Sequence, residues 1–266
     1  LFKPLTESQD SFHLAKYKQK RNMMKKIAIV FFLLFIIFPP IGSAQRKIPI
    51  LVYHSIDEFH GQGSKELYVT PTNFEKQMIY LRDHGFSLLT FEKWQDIYTK
   101  EKPIFITLDD GYKNNLKVYD IFKKIKNNHF IPSATMFVIS DFIGNANRLS
   151  NTELKRLADS GLISVQSHTA THPDLTKKTE YKQELKDSQE TIEKITRKEV
   201  IALSYPYGNI DSKTIDEVKK YYSFGLTTTP ELYLEKGIKN ERYLLPRVYI
   251  KYSTTLEEFA DIVEGK

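Results

Sequence analysis

The chain has 266 residues, no cysteine and a formal charge of +6. Without cysteine there are no disulfides, thiol nucleophiles or Cys-type zinc sites. Residues 1–44 carry seven of the 39 basic and two of the 33 acidic side chains, so the body is near neutral and no nucleic-acid partner is called for.

Taken in chain order, residues 1–22 are polar and read as an upstream or disordered extension. Residues 23–44 have the form of a secretory signal. Met23-Met24-Lys25-Lys26 precedes a twelve-residue apolar run, Ile27 to Phe38, and a small-residue Gly42-Ser43-Ala44 suggests cleavage after Ala44. An uncleaved membrane anchor is the alternative. The expected location is secreted or cell-surface, with membrane or cell-wall association through this segment. Residues 45–266 show no repeat, low-complexity run or linker and read as one domain.

Within that domain Ile48–Val52 predicts a strand running into Tyr53-His54-Ser55. Thr72 is the expected cap of a helix over 73–84, with Phe74, Met78 and Leu81 on one face. A strand over 87–90 and a helix over 91–99 precede the central strand, Ile104–Leu108, rich in β-branched and aromatic residues. A helix over 115–127 follows, with Leu116, Tyr119, Phe122 and Ile125 in phase, then a strand over 133–139. Ser150-Asn151-Thr152-Glu153 is a capping box that opens the next helix. Strand 162–166, a long helix over 179–196, strand 201–204, helix 212–222, strands 224–227 and 243–249, and helix 255–263 complete the chain. Strands and helices joined by short connections predict a parallel sheet covered by helices: an α/β fold, a distorted (β/α) barrel of seven or eight strands.

The polar residues that can do chemistry stand just past predicted strand ends. They are His54, Asp109-Asp110, His168 and Tyr205-Pro206-Tyr207, and in a barrel those ends share one face. Asp109 and Asp110 adjoin at the end of the central strand. Buried without a cation, one of them would have to keep its proton. A bound metal ion removes that conflict, whereas an ordinary Asp-Asp-Gly turn would solve it by solvation. His168 and His172 lie four apart in Thr- and Pro-containing sequence, which favours a loop over a helix. With Asp110 they make a two-His, one-carboxylate set that leaves positions open for substrate, and Asp109 then becomes a candidate base. Read alone, the His loop could equally be structural and the Tyr-Pro-Tyr-Gly stretch an ordinary turn.

Three motifs together carry a family resemblance. Thr107-Leu108-Asp109-Asp110-Gly111, Ser167-His168-Thr169-Ala170-Thr171-His172-Pro173 and Tyr205-Pro206-Tyr207-Gly208 resemble the T-F-D-D-G, S-H-T-x-x-H-P and R-x-P-Y-G motifs of polysaccharide deacetylases (the NodB-homology, carbohydrate esterase 4 family). The resemblance runs from about Ile48 to Val263. It implies metal-dependent removal of N-acetyl groups from an amino-sugar polymer, with Asp109 as base and Asp110, His168 and His172 as ligands of one divalent ion. Zinc is the first expectation for that ion, and cobalt, manganese and nickel are the alternatives. It implies further that the Tyr207 N–H faces an oxyanion, with Tyr205, Pro206 and Tyr207 forming the groove around it.

Two departures qualify the match. The arginine that usually opens the third motif is Ser204 here, and Arg247 is the candidate to orient Asp109 instead. His172 is the last histidine in the chain, so a C-terminal acid histidine is missing. His54, at the first strand end, takes that role if the chain resembles the circularly permuted poly-β-1,6-N-acetylglucosamine deacetylases. The expected partner is therefore an N-acetylated polysaccharide, poly-N-acetylglucosamine-like or peptidoglycan, bound by a monomer. The alternatives are an O-acetyl esterase on acetylated xylan, a non-catalytic glycan-binding module, and a non-haem iron oxygenase, which shares the ligand set but sits on a double-stranded β-helix.

Overall fold

The computed structural model describes residues 16–24 and 46–266. Residues 16–24 form a helix, solvent-exposed throughout. The predicted apolar run and cleavage site lie outside the described residues. Among the described residues no helix is long and apolar enough to cross a membrane.

Residues 47–266 form one compact unit. Its strands in chain order are β1 (Ile50–Tyr53), β2 (Ser55–Ile56), β3 (Tyr68–Val69), β4 (Ser87–Leu89), β5 (Pro103–Leu108), β6 (Ala134–Val138), β7 (Ile163–Ser167), β8 (Ala202–Ser204), β9 (Phe224–Leu226) and β10 (Val248–Tyr249). Eight of them make one sheet in the order β10-β1-β5-β6-β7-β8-β9, and β4 pairs with the start of β5. Every pairing in it is parallel. The segment leading into β10 also pairs with β9, through Leu245 beside Leu226, so residues 245–249 join both ends of the curled sheet. This is the α/β fold expected from the alternation of elements, with the distorted barrel of eight strands taking the form of a curled half-barrel.

Alternate residues of each strand face opposite sides, and both sides are buried. On the outer side Leu51, Tyr53, Ile104, Ile106, Met136, Val165 and Leu203 pack against the helices. On the inner side Ile50, Phe105, Phe137, Ala202, Phe224 and Leu226 make a second apolar cluster with Phe91, Trp94 and Ile97. The last three lie three residues apart on a 3₁₀ segment, Phe91–Tyr98, where an α-helix was expected. A spacing of three aligns side chains on a 3₁₀ turn, and this one row faces inward. Phe91 stacks on Phe105 at 5.0 Å, and Trp94 contacts Phe224 at 5.2 Å and Tyr233 at 5.3 Å between ring centroids.

Other differences from expectation have local causes. The cap of the helix Pro71–Asp83 is Thr70 rather than Thr72, because Pro71 occupies the first turn, where its missing N–H costs nothing. The helix Leu116–Ile125 buries Val118, Ile121, Phe122 and Ile125, leaving Leu116 and Tyr119 at its edge. The long helix begins with a π turn, Gln183–Asp187, before the α-helical Ser188–Thr196. The strand expected over 243–249 shortens to two residues, because Pro246 lacks the N–H a longer ladder needs. The small β2–β3 pair lies between the first strand and the first α-helix of the domain, where no strand was expected. The Ser150–Glu153 capping box is formed as read.

Candidate active site

Beyond Phe105, at the C-terminal end of the sheet, the inner face turns polar: Thr107, Asp109, His168, Ser204 and Arg247 are all buried. The backbone around them is unusual. Among the described residues six non-glycine residues have positive φ, and four of these, Asp110, Thr169, His172 and Tyr207, lie at this end. Each such conformation costs on the order of 1–3 kcal/mol, and a β-branched residue like Thr169 tolerates it least. Gly111 continues the turn at φ +65°, and a Cβ there would meet Val138 Cγ1 at 2.9 Å. At Gly208 a Cβ would come within 2.8 Å of the Thr228 backbone nitrogen.

Asp109 is gripped by Arg247. The guanidinium donates from Nη1 to Oδ1 and from Nη2 to Oδ2, both at 2.8 Å. Its other donors reach Thr107 Oγ1 at 3.1 Å, Ser204 Oγ at 2.8 Å and the Thr227 carbonyl at 2.9 Å, so all five N–H groups are used. The Ser204 hydroxyl donates to Asp109 Oδ2 at 3.0 Å. Burial alone would push the Asp109 carboxyl up, but the Arg247 guanidinium, with His168 behind it, holds it well below the ordinary carboxylate range. The bidentate guanidinium thus favours the ionised form of Asp109 despite its burial.

Asp110, His168 and His172 converge beside it. Their ligand atoms lie within 4.8 Å of one another, the one such cluster among the described residues. His168 Nε2 is 3.7 Å and His172 Nε2 3.9 Å from Asp110 Oδ1. His168 Nδ1 donates to the Ser204 carbonyl at 2.8 Å, which leaves Nε2 as the lone-pair nitrogen facing the carboxylate. Burial lowers the pKa of both imidazoles against the pull of Asp109 and Asp110, so both favour the neutral, ligating form. Two neutral imidazoles and a carboxylate around one point suit a divalent cation of borderline softness with open positions.

The loop bearing the two histidines is tied down from beneath. Glu184, 2% exposed, accepts from the N–H groups of Ala170 at 3.1 Å and Thr171 at 2.9 Å, and from Thr171 Oγ1 at 2.7 Å. It projects from the π turn, a geometry that recurs at functional sites. His54 is partly exposed, with its ring 5.2 Å from that of Tyr249 and its Nδ1 buried without a hydrogen-bond partner. Burial lowers its pKa, opposed by the charges of Asp109 and Asp110. Tyr207 is 63% exposed, and its ring centroid lies 4.8 Å from that of His172, edge to face.

The family model described as polysaccharide deacetylase matches residues 96–224. The crystal structure of a polysaccharide deacetylase from Bacillus cereus is 50% identical, covers 82% of this chain and 69% of its own, and superposes with a TM-score of 0.81. The chain belongs to the polysaccharide deacetylase family. YxkH of Bacillus subtilis is 34% identical over 193 residues, 69% of this chain and 65% of that protein, so the match spans under two thirds of this relative's length. The poly-β-1,6-N-acetyl-D-glucosamine N-deacetylase of Staphylococcus epidermidis is 28% identical over 235 residues, 77% of each chain.

Of the residues singled out in sequence, the deacetylase fold gathers Asp109, Asp110, His168, His172 and Arg247 within direct contact distances, with His54 close enough to feel their charges. Tyr205 requires a correction. It was expected on a groove floor, yet it has no exposed surface and packs in the outer apolar layer. Side chains alternate along β8, so Ser204 facing inward sends Tyr205 outward. Pro206 is likewise buried within the turn. Two residues of the site were not expected from sequence: Ser204 as a partner of Asp109, and Glu184. The signal for Glu184 was an acidic residue on the apolar stripe of Tyr181, Leu185 and Ile192. The parallel, helix-covered sheet is not the double-stranded β-helix of the oxygenase alternative.

Proposed function

We propose that this protein is a metal-dependent hydrolase that removes N-acetyl groups from an extracellular amino-sugar polymer, poly-N-acetylglucosamine-like in the first instance and peptidoglycan in the second. The observation that carries the reading is the Asp110–His168–His172 cluster beside an ionised Asp109. The order of His54 before the metal-ligand motifs, and the likeness to a relative named for poly-β-1,6-N-acetyl-D-glucosamine deacetylation, support the choice of polymer.

Asp110, His168 and His172 would hold one divalent ion, zinc foremost, whose Lewis acidity would polarise the acetyl carbonyl and acidify a water molecule. Asp109 receives the proton of the attacking water, and the Arg247 fork keeps its carboxylate ionised and aimed. The Tyr207 N–H faces the developing oxyanion, a role for which the left-handed turn at Tyr207 is suited. His54 supplies a proton to the departing nitrogen, without which an amide leaves poorly. Burial makes its imidazolium a stronger acid than an exposed one.

The test is acetate release from defined oligosaccharides: β-1,6-linked N-acetylglucosamine, peptidoglycan fragments and acetylated xylan, each with and without chelator. Release from the first, abolished by chelator and restored by zinc, is the expected outcome. Release only from the xylan ester, or release indifferent to chelator, would overturn the proposal.

A further inference from the structure

His54 is the single residue between the end of β1 and the two-residue β2, which lie in different sheets, so the chain turns a corner there. Nδ1 has no partner, and one ring contact, with Tyr249, is made across the neighbouring strand. The main chain on either side, by contrast, is held by a single side chain. Asn115, fully buried, donates from Nδ2 to the His54 carbonyl at 2.8 Å and accepts the Ile56 N–H on Oδ1 at 3.1 Å. Its neighbour Asn114 donates to Ser55 Oγ at 2.6 Å. Three consecutive residues of the corner, 54 to 56, are thus bonded to two consecutive residues that follow the Asp109-Asp110-Gly111 turn.

The amide is suited to this task in a way its isosteres are not. It holds a donor group and an acceptor side by side on a rigid plane, matching a carbonyl and an N–H two residues apart. Both partners are main-chain groups that would be costly to leave unpaired at a buried corner. Asn115 also belongs to the segment that carries the candidate base and a metal ligand, so a shift of that segment is passed directly to His54.

We propose that Asn115 is the positioning residue for His54: it locks the register between the proton donor and the Asp109–Asp110 turn. This rests on the reading of His54 as the acid given above. Asn115 touches no substrate and acts only through the His54 main chain.

The test is a double-mutant cycle in the metal-loaded enzyme. Asn115→Asp retains an acceptor for Ile56 but turns the donor facing the His54 carbonyl into an acceptor. Asn115→Ser, which buries no charge, replaces it if the first does not fold. Either variant is expected to lower kcat by about 10²-fold, the cost of a displacement near 1 Å, with bound metal unchanged. In a His54→Ala background the same substitution should change kcat by less than about twofold. In parallel, the His54 ring signals in NMR spectra should split or broaden in the Asn115 variant. An equal loss in both backgrounds, or an unaltered His54 signal, would overturn the inference and leave Asn115 a structural residue. Full turnover in His54→Ala alone would instead remove His54 as the acid, and the inference with it.

Discussion

The two halves of the barrel interior are built on the same strands and held together by opposite means. Lower down, Phe105, Phe137, Ala202, Phe224 and Leu245 close around Phe91 and Trp94. One step further along the same inner face stand Thr107, Asp109, His168, Ser204 and Arg247. The lower half is stabilised by apolar area and dispersion, which are non-directional and forgiving of small displacements. The upper half is a closed hydrogen-bond network around a buried ion pair, in which each missing partner leaves a polar group stranded. On the proposed function, stability is carried mainly below and chemistry above, and Arg247 is where the two meet.

That contrast can be broken in graded ways. Arg247→Ala should have the largest effect because it acts on both properties. Leaving Asp109 buried and unpaired should cost about 3–5 kcal/mol by urea denaturation and also lower turnover. Unchanged turnover in the folded fraction would remove Arg247 as the orienting group. Asp109→Asn also breaks the buried pair and so should destabilise, but its main effect is on chemistry: kcat per folded molecule should fall by about 10²–10⁴ while metal binding, followed calorimetrically, persists. Loss of metal with that change would make Asp109 a ligand instead.

Trp94→Ala is the converse. It should destabilise by about 3–5 kcal/mol yet leave kcat per folded molecule unchanged, which thermal melts and active-site titration would check. Glu184→Gln keeps an acceptor but removes the charge under the His168–His172 loop. A loss of about 1–3 kcal/mol is expected, together with weaker metal affinity in chelator competition.

The smallest effect is on pH dependence without metal. The folded pKa values of His54, His168 and His172 are depressed below 6.5, so the unfolded chain binds more protons there. Their contribution is complete above 6.5 and is lost as pH falls through the folded values. Asp109 follows at lower pH: its contribution is complete above 3.8 and disappears as pH falls further. Denaturant midpoints measured with chelator should therefore decline in two steps on acidification, and His168→Gln should flatten the first.

What could be read along the chain was whatever depends on near neighbours. The buried run Ile104–Leu108 ending in Asp109-Asp110-Gly111, the four-residue spacing of His168 and His172, the Ser150–Glu153 capping box and the strand–helix alternation are all local patterns, and each appears in the fold. Parity along β8 was legible too, and would have turned Tyr205 away from the groove had it been applied. Arg247 was named only because an arginine was missing at Ser204. Its bidentate grip on Asp109 spans 138 positions and depends on residues 245–249 bridging the two ends of the sheet.

By itself, then, the sequence determined the strands, their polar ends and the set of side chains able to hold a cation, because short-range periodicity and turn chemistry set these. Only the tertiary structure decided which arginine neutralises Asp109, that Glu184 on a π turn supports the histidine loop, and that Asn115 holds the corner at His54. Those contacts form when the sheet curls and brings distant loops to one end, and no spacing along the chain encodes that closure.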